Sequence, residues 1–241
     1  LLIHEEEHRK THHNVIIDVK NVTKDFAVGK NTIPVLRGID LKIRATEFVV
    51  IFGPSGCGKS TLFNIILGLD EPTSGEVEIR DTEIYDLDDD ARSIFREKKI
   101  GMIYQMPYWI KSLNVTENIA FPMIIEGVKE RDALKHAQKV MEEIGITEFA
   151  HQIPTQLSGG EQQKVGLARA LVSNPWIIMA DEPTGNLDST AGDEIMAMFQ
   201  ELNMKHKRTV IMVTHNSAYW ECGTRRIEMK DGMIIKDTAE G

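Results

Sequence analysis

The chain has 241 residues, 41% of them apolar and 27% charged, an ordinary globular balance with enough length for one large α/β domain or a domain with an embedded subdomain. A formal net charge of −9 argues against a protein that coats nucleic acid, which needs a cationic footprint. Two cysteines cannot build a disulfide framework and no apolar run reaches the length of a membrane span, so a soluble, cytoplasmic protein is expected.

The opening segment "LLIHEEEHRKTHHN" is polar and holds four of the eight histidines. His4, His8 and His12 fall at helical spacing, which suits a solvated helix or tail better than a metal site. From Val15 onward β-branched residues dominate, and "VIIDVKNVTKDF" and "IDLKIRATEFVVIFG" read as strands. The second ends in the apolar run Phe48 to Phe52, the pattern of a strand covered on both faces. "TLFNIILGL" then reads as a buried helix and "GEVEIR" as a return to alternation.

Between about 86 and 158 the texture is helical, through "DLDDDARSIFREKK", "VTENIAFPMIIEG" and "ERDALKHAQKVMEEIGI". A helix "GEQQKVGLARALVS", a buried strand "WIIMADEP", a helix "TAGDEIMAMFQELNMK" and a strand "TVIMVTH" follow. "RRIEMKDGMIIKD" closes the chain as a hairpin turning at Asp231-Gly232. Strand–helix alternation at both ends with helices inserted between predicts a doubly wound α/β core carrying a helical subdomain.

"GPSGCGKST", Gly53, Pro54, Ser55, Gly56, Cys57, Gly58, Lys59, Ser60 and Thr61, joins the apolar strand to the helix and fits the pattern G-x-x-x-x-G-K-[ST], whose phosphate chemistry is a general rule for such loops. Glycines let successive N–H groups point at phosphate oxygens, and the helix start adds its positive end. Lys59 is placed for the β- and γ-phosphates, Ser60 for Mg²⁺ and Thr61 for the α/β-phosphates. Cys57 reads as a small residue that fits the loop; a redox role is the less favoured reading.

"IIMADEP" puts Asp181 and Glu182 at the end of a buried strand. Asp181 there can support Mg²⁺ through its water shell, and Glu182 can polarise an attacking water. His215, at the end of "TVIMVTH", can contact a γ-phosphate and hold water and base in place.

With "LSGGEQQKV", residues 157–165, between the phosphate loop and the carboxylates, the chain from Val15 onward resembles the ATP-binding cassette (ABC) ATPases. The resemblance implies a P-loop NTPase core of mainly parallel sheet, an antiparallel β subdomain and a helical subdomain inserted over about 105–158, in an ATPase domain spanning 15–241. It also implies ATP and Mg²⁺ as ligands, with Lys59, Gln105, Glu182 and His215 in catalysis and Ser60, Gln105 and Asp181 around the metal. Phe26 matches the aromatic that stacks on adenine, with Phe where Tyr is commoner, and "GNLD", Gly185 to Asp188, matches the D-loop.

The family implies a head-to-tail dimer of two copies, in which Ser158, Gly159 and Gly160 of one close on the ATP held by the other. It further implies a separate transmembrane permease, docked around Gln105 to Asn114 with Tyr108 and Trp109 as contacts, at the cytoplasmic face of the membrane. "MADEPTGNLDS" and "TENIAFPMIIEGV" look most like the lipoprotein-releasing, macrolide- or peptide-efflux and cell-division group. Alternatives are an ATPase regulating a cell-division or cell-wall membrane complex, and a soluble ABC ATPase acting on ribosome or DNA. A single cassette and the acidic balance disfavour the last, and no nucleic-acid partner is expected.

Overall fold

The computed structural model describes residues 15–240; His4, His8 and His12 of the polar opening lie outside the described residues. The chain divides into two compact units, one made of the residues up to Arg96 with Gln200–Gly241, the other of Glu97–Phe199.

In the first unit, β1 (Val15–Val28), β2 (Asn31–Arg44), β4 (Ser74–Ile79) and β5 (Thr82–Glu83) form an antiparallel sheet in the order β2-β1-β4-β5. Along β2, Ile39, Leu41 and Ile43 are buried while Asp40, Lys42 and Arg44 are exposed, the alternation of a strand covered on one face. β3 (Phe48–Phe52) and β8 (Thr209–Thr214) instead are buried at every position and pair in parallel. β9 (Arg225–Lys230) pairs with β3 in parallel and with β10 (Met233–Asp237) antiparallel. The β9–β10 turn has φ of 50° at Asp231 and 78° at Gly232, the mirror-image turn that matches the twist of paired strands. Helix α1 (Lys59–Ile66) buries Leu62, Phe63, Ile65 and Ile66, and α2 (Asp89–Lys99) buries none of its residues.

The second unit is built on the parallel pair β6 (Ile100–Tyr104) and β7 (Ile177–Asp181). Gly101 lets α5 (Gly159–Leu171) lie against β6: a Cβ there would meet the Ala170 carbonyl oxygen at 2.3 Å. Helix α3 (Val115–Ile125) starts at a reciprocal cap, the Asn114 side chain accepting from the Glu117 N–H and the Glu117 carboxylate from the Asn114 N–H. Helix α4 (Glu130–Ile144) buries Ala133, Ala137, Val140 and Met141 and stops where Gly145 turns left-handed at φ 74°. Helix α6 (Ser189–Met204) follows β7. Parallel pairing in both units, with the separate antiparallel sheet, is the mainly parallel α/β fold expected from the sequence.

Two expectations are corrected. "IDLKIRATEFVVIFG" is two strands, not one: Thr46 turns left-handed at φ 68°, and the Glu47 carboxylate accepts from the Arg44 N–H to close the bend. The segment 86–158 is not wholly helical either, because Ile100–Tyr104 is the strand β6.

Candidate functional site

The phosphate loop leaves β3 at Gly53 and enters α1 at Lys59. A Cβ at Gly53 would stand 2.2 Å from the Met229 carbonyl oxygen and 2.9 Å from Cys57 Sγ, so only glycine passes here. Gly58, at φ 103°, caps α1 without a side-chain hydrogen bond, and no acidic residue stands in the first helical turn. The helix therefore presents its amide donors and positive end to the loop, which is what a bound phosphate requires. Lys59 is 7% exposed, and its ammonium donates to the carbonyl oxygens of Gly53 (2.8 Å) and Pro54 (3.0 Å). A buried cation resting on two neutral carbonyls is poised to exchange them for anionic oxygens. Ser55, Gly56 and Ser60 are exposed at the mouth of the loop, while Cys57 is buried beneath it. From below, the Gly232 N–H of the β9–β10 turn donates to the Cys57 carbonyl oxygen at 3.1 Å.

Phe52 is in register with Thr214, so Gly53 and His215 leave the same C-terminal edge of the parallel pair β3–β8. That edge is where ligands sit in open α/β sheets. His215 is exposed, and the turn after it is fixed by Asn216, whose N–H donates to Thr214 Oγ1 and whose side chain accepts from the Ala218 N–H, both at 3.0 Å. Trp220 stacks on Phe52 with ring centroids 4.1 Å apart. On the antiparallel sheet of the same unit Phe26 is 39% exposed, and the Lys24 ammonium lies 5.0 Å from its ring centroid. That ammonium is in turn held by Asp70 and the Glu71 carbonyl oxygen, both at 2.5 Å.

The second unit repeats the edge geometry. Tyr104 is in register with Asp181, so Gln105 and Glu182 emerge together at the C-terminal edge of β6–β7. Glu182 adopts φ 49°, a left-handed conformation that costs a non-glycine residue roughly 1–2 kcal/mol. Strand alternation thus ends at Asp181, and this backbone reversal, not the pleat, sets the direction of the Glu182 side chain. The turn is closed by the Gly185 N–H donating to the Glu182 carbonyl oxygen at 3.0 Å. Gln105 Nε2 donates to Asn186 Oδ1 at 3.2 Å, joining the segment after β6 to the segment after β7.

Ser158 is the N-cap of α5, with Gly159 and Gly160 as its first residues. Here the helix start is already capped. The Glu161 carboxylate accepts from both the Ser158 N–H and its hydroxyl at 2.7 Å, and these bonds hold Glu161 below the usual carboxylate range. The two helix starts therefore differ: α1 is open to an anion, and α5 carries its own carboxylate.

Of the two aromatics expected on a docking surface, only one is largely exposed, although its ring meets that of Tyr104 edge-on at 6.1 Å. Tyr108 is 77% exposed, whereas Trp109 is half-buried, donates from Nε1 to Gln162 Oε1 at 2.7 Å and lies under the Arg169 guanidinium at 4.6 Å. Burial pulls the Arg169 guanidinium below its usual value. Sequence reasoning also missed Gln163, 2% exposed, although it lies with Gly166, Leu167 and Ala170 at the i, i+3, i+4, i+7 spacing of the buried face of α5.

Ser60, exposed at the mouth of the phosphate loop, offers a hard oxygen donor of the kind Mg²⁺ takes beside substrate phosphates. Among the described residues no cluster of three or more His, Cys, Asp or Glu could hold a metal ion alone. Nor is any helix among the described residues long and apolar enough to cross a membrane.

Comparison with known proteins agrees with this geometry. The ABC transporter family pattern matches residues 36–185. The lipoprotein-releasing system ATP-binding protein LolD of Anaeromyxobacter dehalogenans is 39% identical, over 92% of this chain and 93% of its own. The macrolide export ATP-binding/permease protein MacB of Syntrophobacter fumaroxidans is 38% identical over 91% of this chain, which spans only 31% of that longer protein. Among solved structures, the ATP-binding cassette MJ0796 of Methanocaldococcus jannaschii, a dimer in a post-hydrolysis state bound to ADP and Pi, superposes with a TM-score of 0.84. The match is 41% identical and covers 92% of this chain and 97% of that one.

Proposed function

The chain belongs to the ABC transporter family as an ATP-binding subunit that hydrolyses ATP, and from that premise we propose that it is the motor of an exporter for a lipoprotein, peptide or drug. In this reading it works at the cytoplasmic face of the membrane with a transmembrane permease, and dimerises with a second copy on ATP. The names of LolD and MacB, and the dimer of MJ0796, support the class of system and the pairing.

The observation that carries the reading is the open, uncapped start of α1 beneath a buried lysine. Lys59 leaves the carbonyls of Gly53 and Pro54 for the β- and γ-phosphates, and the amides of Gly56 to Thr61 bind the remaining oxygens. Phe26 offers its ring face to adenine. Ser60, Asp181 and Gln105 would hold Mg²⁺, which would neutralise phosphate charge. Glu182 takes the proton of the attacking water, and His215 and Gln105 orient that water and the γ-phosphate. Ser158, Gly159 and Gly160 close on the nucleotide of the second copy. For that, the Ser158 hydroxyl exchanges its bond to Glu161 for a phosphate oxygen.

The domain assignment follows the same line: residues 15–241 form the ATPase domain, and about 105–158 its helical subdomain. Met106 and Tyr108, 64% and 77% exposed, are the side chains we assign to the permease contact.

Glu182→Gln tests the reading. The variant should bind ATP like the parent, lose hydrolysis by at least about a hundredfold, and run as an ATP-dependent dimer in size-exclusion chromatography. Hydrolysis at the parent rate would remove Glu182 from the chemistry.

A further inference from the structure

Gln163 lies within "LSGGEQQKV" but has no role among the motif residues described above, and it makes two hydrogen bonds. From α5, its buried Nε2 donates to the Tyr104 carbonyl oxygen at 3.0 Å and to the Pro183 carbonyl oxygen at 2.7 Å. Tyr104 immediately precedes Gln105, and Pro183 immediately follows Glu182. One amide group thus clamps the backbone beside both residues that leave the C-terminal edge of β6–β7.

The orientation of that amide is fixed by its partners, since two carbonyl oxygens can be satisfied only by an NH₂ group. Its own Oε1 is buried and accepts no hydrogen bond. An apolar residue of the same length would avoid leaving that oxygen unpaired, so the side chain earns its place through its two donors. What they restrain is a strained turn. Glu182 stays at φ 49° only if the atoms on both sides are held. The Glu182 carbonyl oxygen is held by the Gly185 N–H, and the Pro183 carbonyl oxygen by Gln163.

We propose that Gln163 is a positioning residue for hydrolysis: it holds the Glu182 turn and the start of the Gln105 segment in one register, and so fixes where the carboxylate meets the attacking water. The inference rests on the reading of Glu182 as the base. Because Gln163 sits on the helix that begins at Ser158, a displacement of α5 moves both carbonyls it holds. The base is thereby tied mechanically to the helix whose first turn closes on the other nucleotide.

The experiment compares Gln163→Leu and Gln163→Met, which keep the volume and remove the donors, with the parent and with Glu182→Gln in the full chain. Steady-state ATPase assays, ATP binding by equilibrium dialysis and melting temperatures are measured for each. The expected result is a kcat lower by about tenfold or more, with the KM for ATP and ATP binding unchanged and a melting temperature that falls by a few degrees but stays above the assay temperature. In the Glu182→Gln background, Gln163→Leu should lower the residual rate no further, the non-additivity of residues acting through one another. Three results would overturn the proposal: parent kcat in both variants, a kcat loss in variants that are unfolded at the assay temperature or no longer bind ATP, or a full additive loss in the Glu182→Gln background. If Glu182→Gln itself hydrolyses at the parent rate, the base assignment fails first, and a kcat loss confined to the Gln163 variants would then belong to Gln105.

Discussion

Gly53 marks how little tolerance the phosphate loop has at single positions. The atom that would meet an added Cβ at 2.2 Å is the backbone carbonyl of Met229, which cannot swing away as a side-chain end would. Gly53→Ala should therefore displace the loop from β9, weakening nucleotide binding at least about tenfold and costing about 1–3 kcal/mol of stability. Titration with a fluorescent nucleotide and a thermal melt check both, and parent affinity would show that the loop tolerates the shift. At this scale the sequence was most legible. Lys59 at the start of α1, Asp181 and Glu182 at the end of β7 and His215 after β8 stand at the loop and strand ends where the sequence pattern sets them. Gln163 could not be assigned, because its two acceptors lie 59 and 20 residues away along the chain.

Elements with a strong local signature were equally readable. The Asp231-Gly232 turn follows from short-range chemistry. The strand β6 was lost because "IGMIY" is a short apolar run whose period does not distinguish strand from buried helix. The break between β2 and β3 was lost because "RATE" holds neither glycine nor proline; the turn is made by Thr46 and by a carboxylate folding back.

The end of β10 supports one prediction at this scale. Buried Arg225 holds Asp237 through Nε (2.8 Å) and Nη2 (2.5 Å), and Nη1 reaches Glu47 at 3.0 Å and the Lys42 carbonyl oxygen at 2.6 Å. Burial pushes the Asp237 carboxyl up, but Arg225 and the Ala239 N–H outweigh it and leave it below the usual range. A depressed carboxylate stabilises the fold above its unfolded pKa, about 3.9, and this contribution is lost as the pH falls through the lower folded value. Asp237→Asn should cost about 2 kcal/mol at pH 7, with the difference in melting temperature from the parent shrinking below about pH 4. A difference that stays constant down to pH 2 would contradict the assignment.

For the whole molecule the class of fold was legible in the order of strands and helices, and the family in "LSGGEQQKV" set between the phosphate loop and the carboxylates. The cargo was not, because nothing in the cassette reads it if the permease does. The proposal nevertheless makes a claim about company. Capture of the tagged full chain from detergent-solubilised membranes, as Glu182→Gln with ATP, should recover a membrane-spanning protein in stoichiometric amount. Recovery of ribosomes or DNA with no such protein would replace the exporter reading.

The hydrogen bond from Gly232 to Cys57 bears on timing as well as on shape. During synthesis the phosphate loop emerges long before the turn that supports it, with 174 residues between Cys57 and Gly232. A nascent chain stalled short of Gly232 would carry the complete "GPSGCGKST" without its floor. ATP affinity at the loop then waits on the β9–β10 hairpin, so a chain truncated before Gly232 should hold nucleotide more weakly.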